Sequence, residues 1–244
     1  MKTTATLILA LLTLIGCGAS TGPEPENPLD MPYNVDIDSA DFLAAADITG
    51  NTFFPVIPGT TYVYVGENED GETVRVEEIH TTDTTVVMGV TCVVINAREF
   101  EAGELVEDTF DWYAQDIYGN MWYFGEDSRE MEDGEIVSYH GSWEAGVEGA
   151  LPGIIMLAHP IEGMWYRQEY WAGEAEDVAQ VLSLDATVSV PFGDFSNCLQ
   201  TAEWNPLEPG IVEHKFYAPN VGLLRAVAVK GESGHEDLSE ITAN

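Results

Sequence analysis

The segment Trp165–Trp171, with the sequence WYRQEYW, is the best candidate for contact with a ligand. If it is a β-strand, alternation places Trp165, Arg167, Glu169 and Trp171 on one face. The chain has 8 Lys and Arg residues against 43 Asp and Glu residues, so an arginine within an aromatic strand is expected to have a specific partner. Facing inwards, Arg167 and Glu169 would form a charged site between two indoles. Facing outwards, they would form an ordinary surface pair, which is the more common arrangement.

Other aromatic strands supply further candidates by the same reasoning. His214 shares its predicted face with Val212 and Phe216, so it is expected to point into the core or a cavity. A neutral histidine bound to a backbone carbonyl is the more common state there, and a metal ligand is the alternative. The sequence contains no HxH, HExxH or Cys/His motif, and therefore no local zinc-binding signature. Whether distant side chains bind a metal is left open. The candidate ligand contacts are Asp108, Trp112, Trp122, Trp165, Arg167, Glu169, His214 and Phe216.

Carboxylates beside aromatic residues raise the alternative of hydrolysis, because two carboxyl groups can act as general acid and base on a glycosidic bond. The positions of these carboxylates in the sequence do not show that any two of them lie at a catalytic distance from each other. Neither Ser142 nor Ser189 lies in a G-x-S-x-G motif, and phosphate-binding and dinucleotide-binding motifs are absent. A non-catalytic protein is therefore favoured over a carboxylate-dependent hydrolase. The acids beside aromatic residues are Asp108, Asp111, Glu144, Glu203 and Glu208.

Cys92 and Cys198 occupy equivalent positions in two similar segments. Outside the cytoplasm they can form a disulfide, which requires Cα atoms roughly 4.4–6.8 Å apart. The sequence does not provide that distance. A disulfide and two buried free thiols therefore remain open alternatives.

The formal net charge of −35 and the pI of about 4.1 make the surface strongly acidic. Such a surface repels nucleic acids, so nucleic-acid binding is excluded. The acids are scattered along the chain, which favours a role in solvation over one in cation binding. No cofactor is predicted. Ca²⁺ is the cofactor of the alternative function, a cation-binding or structural surface protein.

The N-terminus indicates export. Lys2 precedes an apolar run, Leu7–Ile15, that is too short to span a bilayer, and the small Gly16 precedes Cys17. This pattern resembles a bacterial lipobox, and an ordinary secretory signal is the alternative. We expect a signal peptide over 1–16 and a lipidated Cys17 at the start of a flexible acidic tether over 17–40. Acyl chains would hold the protein on the periplasmic or extracellular face of the cell envelope.

The segment Asp108–Phe124 is expected to form the hairpin around which the domain is built. Alternation places Asp108, Phe110 and Trp112 on one face, and Trp122 and Phe124 on one face of the return strand.

The remaining elements follow from turn signals and apolar runs. Asp70–Gly71 and Asp133–Gly134 predict hairpins, and Val86–Asn96 predicts one central strand. The Gly- and Pro-containing stretch 147–157 is expected to be a loop or plug. A short helix is expected to begin near Ser39 or Asp41.

The second half of the chain repeats landmarks of the first. Tyr113–Ala114 and Tyr217–Ala218 lie 104 positions apart, and Cys92 and Cys198 have a similar offset. We interpret 53–126 and 158–230 as two repeated β units separated by an insert, 127–157. The expected fold is all-β: one antiparallel curved half-barrel or barrel over 41–240.

Six groups of motifs run through the predicted domain: FP at 54–55 with PGTTYVY at 58–64, DWYAQD at 111–116, WYFGE at 122–126, SWEAG at 142–146, RQEY at 167–170 with EAED at 174–177, and YAPNVGL at 217–223. Together they resemble a family of uncharacterised secreted bacterial β-rich lipoproteins. More loosely, the predicted meander is similar to the half-barrels of periplasmic lipoprotein carriers. The resemblance implies a β fold and an envelope location, and it supplies no activity. The expected function is a non-catalytic envelope lipoprotein that binds a small or apolar ligand in its concavity; the oligomeric state is left open.

Overall fold

The computed structural model describes residues 32–243. Within them, sixteen antiparallel strands form one sheet that curls without closing, which confirms the predicted all-β half-barrel. The signal peptide, Cys17 and most of the tether lie outside the described residues. The strands are β1 (Thr60–Glu67), β2 (Thr73–Val87), β3 (Val90–Glu101), β4 (Glu104–Gln115), β5 (Met121–Asp127), β6 (Glu130–Glu132), β7 (Glu135–Ser138), β8 (Trp143–Glu144), β9 (Leu151–Met156), β10 (Trp165–Arg167), β11 (Glu169–Tyr170), β12 (Val178–Val190), β13 (Gly193–Trp204), β14 (Val212–Ala218), β15 (Gly222–Lys230) and β16 (His235–Ala243).

The order of the strands brings the two edges of the sheet together. The order is β10-β12-β13-β14-β15-β16-β1-β2-β3-β4-β5-β9-β11, with β6, β7 and β8 off this path. The two end strands, β10 and β11, are consecutive in the chain and only Gln168 separates them. β10 pairs with β12, and β11 pairs with β9. One six-residue segment therefore bridges the open side of the half-barrel.

Tight turns join most neighbouring strands. The hairpins at Asp70–Gly71 and Asp133–Gly134 are confirmed. Val86–Asn96 is not one strand, because Met88 and Gly89 turn the chain between β2 and β3. Both have positive φ, 50° and 80°, which is the backbone of the two-residue turns that match strand twist. An apolar run can hide such a turn because methionine gives no turn signal.

Two further expectations are wrong. Part of the stretch 147–157 is strand β9, which pairs with β5 and β11. In place of one short helix there are two 3₁₀ turns, Ser39–Asp41 and Ala45–Asp47. The helix does not form because the backbone N–H of Leu43 donates to the carbonyl of Gln115, so this segment follows β4 instead. Within the described residues, no helix is long and apolar enough to span a bilayer.

Two hydrophobic clusters fill the domain. The first includes Cys92, Phe124 and Trp143, and the second includes Cys198 and Leu238. Both thiols are buried and free, in different clusters, which favours the second of the two cysteine alternatives. The proposed sequence repeat itself stays a prediction.

Close contact at the bridging segment requires a glycine. A Cβ atom on Gly153 in β9 would lie 2.3 Å from the carbonyl carbon and oxygen of Gln168 and 2.6 Å from the nitrogen of Glu169. All three atoms are backbone, so the contact cannot be relieved by a side-chain rotation. Gly153 therefore allows β9 to approach β11 closely enough to pair.

We predict that Gly153→Ala lowers the free energy of unfolding by about 3 kcal/mol, because the backbone at Gln168 must move. Urea unfolding followed by tryptophan fluorescence measures the change. The control is Gly71→Ala, where no atom lies within 4 Å of the added methyl group and the cost is the positive φ alone, about 1–2 kcal/mol. Equal losses in the two variants would contradict the role of Gly153.

Candidate functional site

Side chains from distant strands meet on the concave face of the sheet. Burial raises the pKa of Tyr113 in β4 well above its usual value, and Tyr217 in β14 raises it further. The same two causes act on Tyr64 in β1. β14 and β4 lie six places apart in the sheet, so these side chains can influence one another only across the inside of the curl. The tyrosines therefore identify which face of each strand is concave.

Glu203 in β13 is the most completely bonded group on this face. Its carboxylate accepts hydrogen bonds from Thr201 Oγ1 at 2.7 Å, Tyr217 OH at 3.1 Å and Gln168 Nε2 at 3.2 Å. Lys215 Nζ lies 3.0 Å from the second oxygen. Burial by itself would raise the pKa of Glu203, but the charge of Lys215 and these hydrogen bonds outweigh it and lower the pKa. Glu203 is therefore ionised.

Four other carboxyl groups, Asp111, Glu126, Glu169 and Asp177, form what we call the carboxyl cluster. Asp111 and Glu126 are direct cross-strand partners in β4 and β5. Tyr123 OH donates to Asp111 Oδ1 at 2.6 Å. Asp111 and Asp177 raise the pKa values of both Glu126 and Glu169, and Glu126 raises that of Glu169. The facing pair that the hydrolase alternative requires is thus Asp111 with Glu126.

The members of the carboxyl cluster hold their protons more tightly than ordinary acids. Burial is the largest cause, and it raises the pKa of Asp111 to about 7 and that of Asp177 to about 6. The pKa values of Glu126 and Glu169 lie well above the usual range, first through burial and then through the neighbouring acids. Lys215 lowers the pKa of Asp177 and partly offsets the burial. The cluster therefore gives up its protons at a higher pH than ordinary carboxyl groups do.

The concave face is nevertheless reached by solvent. The side chain of Lys215 is 30% exposed and that of Glu213 is 20% exposed. Glu78, which also faces Asp111, is 28% exposed. These side chains are surrounded by enough protein to shift their pKa values, and yet part of their surface is exposed to solvent. Such groups line a recess, not a filled core. A ligand could therefore reach these polar groups from solution.

Two polar atoms beside the carboxyl cluster are buried without a hydrogen-bond partner in residues 32–243: Trp143 Nε1 and Asp177 Oδ1. Trp143 is 4% exposed and pairs with Glu126 across β8 and β5. Both atoms nevertheless have Glu169 as a neighbour: a contact with the Trp143 indole N–H lowers the pKa of Glu169, and a contact with Glu169 lowers the pKa of Asp177. Both atoms are covered from solvent, so Trp143, Glu169 and Asp177 form a buried polar group at the edge of the carboxyl cluster.

The structure separates the residues of the predicted contact strand. Strict alternation over 165–171 is wrong because the strand breaks at Gln168. Glu169 belongs to the carboxyl cluster. Arg167 is buried elsewhere, with its guanidinium 4.8 Å from the ring of Tyr170 and 3.8 Å from Glu176. Trp165 lies on the same face of β10 as Arg167. Tyr166 lies on the opposite face, where burial and then Glu203 raise the pKa of its hydroxyl group. Arg167 and Glu169 therefore do not form one site.

The other predicted contacts in β4 and β5 lie on the convex side. Asp108 and Trp112 share a face, as predicted, but they alternate with Asp111 and therefore point away from the recess. Asp108 accepts a hydrogen bond from Asn96 Nδ2 at 2.7 Å. Trp122 Nε1 donates to Asp116 Oδ2 at 2.9 Å. These side chains have structural partners on that face.

His214 and Phe216 also lie opposite the recess, because they alternate with Lys215 and Tyr217 in β14. His214 Nδ1 lies 3.1 Å from Gln200 Nε2, and burial lowers the pKa of the imidazole. Within the part of the chain that the structure describes, no group of three or more His, Cys, Asp or Glu side chains is arranged to hold a metal ion.

The sequence reasoning missed Tyr123, Glu126, Trp143, Asp177 and Lys215. One signal was available: the chain has only three lysines, and strand periodicity places Lys215 on the same face as Glu213 and Tyr217. Trp143 gave no signal because it lies in a two-residue strand whose neighbours are contributed by β5.

Comparisons with known proteins assign no family. No family model matches the chain, and no curated protein does. A "putative exported protein with YmcC-like fold" from Bacteroides fragilis NCTC 9343 is 16% identical, with 79% of this chain and 99% of that chain covered and a TM-score of 0.45. A "putative lipoprotein" from Parabacteroides distasonis ATCC 8503 is 14% identical, with the same coverage and a TM-score of 0.42. At these values we transfer neither fold nor function, and the resemblance to secreted lipoproteins stays a prediction.

We predict that the protein becomes less stable as the pH rises from 5 to 8. Asp177, Asp111, Glu236 and Glu99 have pKa values raised to about 6, 7, 7 and 8, first by burial. The folded state then binds more protons than the unfolded chain, so the stabilisation is complete below about pH 4 and is lost as the pH passes through 6–8. The lowered pKa of His214 acts in the opposite sense below about pH 6.5, but it is a single group.

Thermal unfolding across this pH range tests the prediction, and we expect a loss on the order of 3 kcal/mol. The double variant Asp111→Asn, Glu126→Gln should show a shallower dependence, because two of the titrating groups are gone. A melting temperature that stays constant or increases from pH 5 to pH 8 would contradict it.

Proposed function

We propose that this chain is a non-catalytic protein of the cell envelope, anchored by lipid on Cys17, that binds a small polar ligand in the concave recess. The observation that carries the proposal is the recess itself: a solvent-accessible concave face lined by carboxyl groups and tyrosines. Buried carboxyl groups are costly without hydrogen-bond partners, so a polar ligand that binds to them would be favoured.

The lining of the recess changes the class of ligand expected from the sequence. An apolar ligand would leave the buried carboxyl groups without partners, at a cost that increases with each group. A polar ligand replaces the water that these groups lose. The concave face carries Asp111, Glu126, Glu203 and Lys215, whereas the aromatic residues expected to form apolar walls, Trp112 among them, lie on the convex side.

The anchor rests on the sequence alone. Leu7–Ile15 and Gly16 precede a cysteine in the order that lipidation requires, and Cys17 lies outside the described residues. The described domain begins fifteen residues later, at Pro32. A tether of this length would let the recess face solution beside the membrane.

We predict that Cys17→Ala releases the protein from membranes. The full chain is produced in a bacterium, and its distribution is measured after cell fractionation and detergent phase partition. Cys198→Ala is the control, since it also removes a thiol but leaves the N-terminus intact. Continued membrane retention of Cys17→Ala would contradict the anchor.

Native mass spectrometry of the full chain tests ligand binding, with and without a chelator. We predict a retained small molecule that is unaffected by the chelator and is lost from the Asp111→Asn, Glu126→Gln variant. A mass shift that the chelator removes would favour the cation-binding alternative. A bare mass after incubation with an extract of the producing cells would contradict the proposal.

A further inference from the structure

We propose that one end of the half-barrel rests on the surface of a lipid bilayer while the opposite end points into solution. The contacting end carries the turns β2–β3, β4–β5 and β12–β13, and we call it the apolar end; the opposite one is the acidic end. The inference rests on the proposed function only through the lipid anchor on Cys17, and it concerns a surface outside the recess.

Antiparallel pairing places the connections between strands at two ends of the sheet. The connections β2–β3, β4–β5, β9–β10, β12–β13 and β14–β15 lie at the apolar end, and β1–β2, β3–β4, β6–β7, β11–β12, β13–β14 and β15–β16 lie at the acidic end. The N-terminal strap, residues 32–59, crosses the apolar end. Its Asp41 carbonyl accepts a hydrogen bond from the Ile117 N–H at 2.8 Å, and its Thr52 carbonyl accepts one from the Asn220 N–H at 2.6 Å. The strap therefore joins turns from the two halves of the sheet.

Large hydrophobic side chains are exposed on these turns. In β4–β5, Ile117 is 53% exposed and Tyr118 is 72% exposed, and in β9–β10 Ile161 is 62% exposed. Met88 in β2–β3 and Phe192 in β12–β13 are exposed as well. Single exposed hydrophobic residues are ordinary, but their presence on four separate turns at one end indicates an interaction surface.

The acids of the connections are distributed in the opposite way. The six connections of the acidic end contain nine Asp and Glu residues, whereas the five of the apolar end contain two, Asp116 and Glu162. The Asp116 carboxylate is nearly buried and accepts a hydrogen bond from the indole of Trp122. The strap adds Asp41 and Asp47, which are exposed. Anionic headgroups would therefore repel the acidic end most strongly, and the acids of the strap favour a zwitterionic bilayer over an anionic one.

The length of chain before the described residues favours lipid as the occupant. Cys17 lies fifteen residues before Pro32, and fifteen residues reach at most about 50 Å when fully extended. A lipid on Cys17 would thus keep the domain close to a bilayer, and the strap that follows leads to the apolar end. A contact too weak to hold a free protein becomes populated at such a high effective concentration. A second copy is disfavoured because each chain has a formal net charge of −35.

The turns suit a shallow contact. A tyrosine ring such as that of Tyr118 is favoured at the level of the headgroups, and small apolar side chains reach the boundary of the acyl chains. Polar backbone groups of a turn keep their water there, whereas the hydrocarbon core would leave them without hydrogen-bond partners. Only the tips of the turns therefore enter the bilayer surface.

Fluorescent labels at single sites test the inference on the full, lipidated chain in vesicles of phosphatidylcholine and phosphatidylethanolamine. Ile117→Cys and Phe192→Cys carry a nitrobenzoxadiazole label, and the chain without an introduced cysteine measures any labelling of the buried Cys92 and Cys198. On reconstitution we expect both labels to emit at shorter wavelength. We also expect phosphatidylcholine with a nitroxide near its headgroup to quench both.

Val137→Cys is the matched control. Val137 is 53% exposed, as Ile117 is, but it lies in β7 at the acidic end. Its label should keep its wavelength and should not be quenched.

An added charge gives a second test with the label at position 117. Ile161→Asp should lower the equilibrium constant of the contact about tenfold, because an apolar side chain no longer leaves water there. Val137→Asp should leave this constant unchanged. Melting temperatures identify any variant that fails to fold.

The outcomes separate the lipid contact from the anchor. If the chain floats with the vesicles but the label at position 117 behaves like that at position 137, the contact is overturned while the anchor stands. If the signal at position 117 grows with protein density and ignores the nitroxide lipid, a second copy covers the apolar end and the contact is overturned. If the chain does not float with the vesicles, the anchor fails and the inference fails with it, whereas ligand binding in the recess is measured independently.

Discussion

The Glu203 carboxylate is the interaction on which the concave face depends. Its four partners come from three places in the chain: Thr201 in the same strand, Lys215 and Tyr217 in the neighbouring strand, and Gln168 in the segment that bridges the two edges of the sheet. A buried charge would be strongly unfavourable without them. The lowered pKa shows that the donors more than offset the burial, so one ionised group connects the second half of the sheet to its open side.

The carboxyl cluster shows the opposite balance on the same face. Its acids have neighbours of like charge, and burial together with these neighbours raises their pKa values. A fold selected for stability alone would satisfy or remove such groups. Glu203 has a full set of hydrogen-bond and charge partners, whereas the acids of the cluster mainly have one another. This contrast is the physical reason for assigning a structural role to Glu203 and ligand binding to the cluster.

The bridging segment explains why the cluster exists at all. Gln168 separates β10, which pairs with β12, from β11, which pairs with β9 at the other edge of the sheet. The break turns Glu169 towards Glu126 while Arg167 remains with Tyr170 and Glu176. An uninterrupted strand would have kept Arg167 and Glu169 on one face and paired their charges. The separation of Arg167 from Glu169 is thus a consequence of the break at Gln168, where one segment bridges the two edges of the curled, open sheet.

The sequence by itself determined the class of fold and much of its local order. Alternation and turn residues indicated antiparallel strands, the hairpins at Asp70–Gly71 and Asp133–Gly134, and the pairing around 108–124, because these features depend on neighbours a few residues apart. Alternation also grouped Asp108 with Trp112 correctly, although it could not say which face of the sheet is concave. Only the direction of the curl, a property of the whole sheet, decides that.

The site required the tertiary structure for the same reason. Asp111, Glu126, Glu169 and Asp177 come from separate segments, and their raised pKa values arise from burial and from one another. No local pattern identifies Trp143, because its two-residue strand is defined only by pairing with β5. Residue types and periodicity specify strands and faces through short-range contacts. The meeting of distant carboxyl groups, and hence the chemistry of the recess, depends on long-range packing that a linear pattern does not encode.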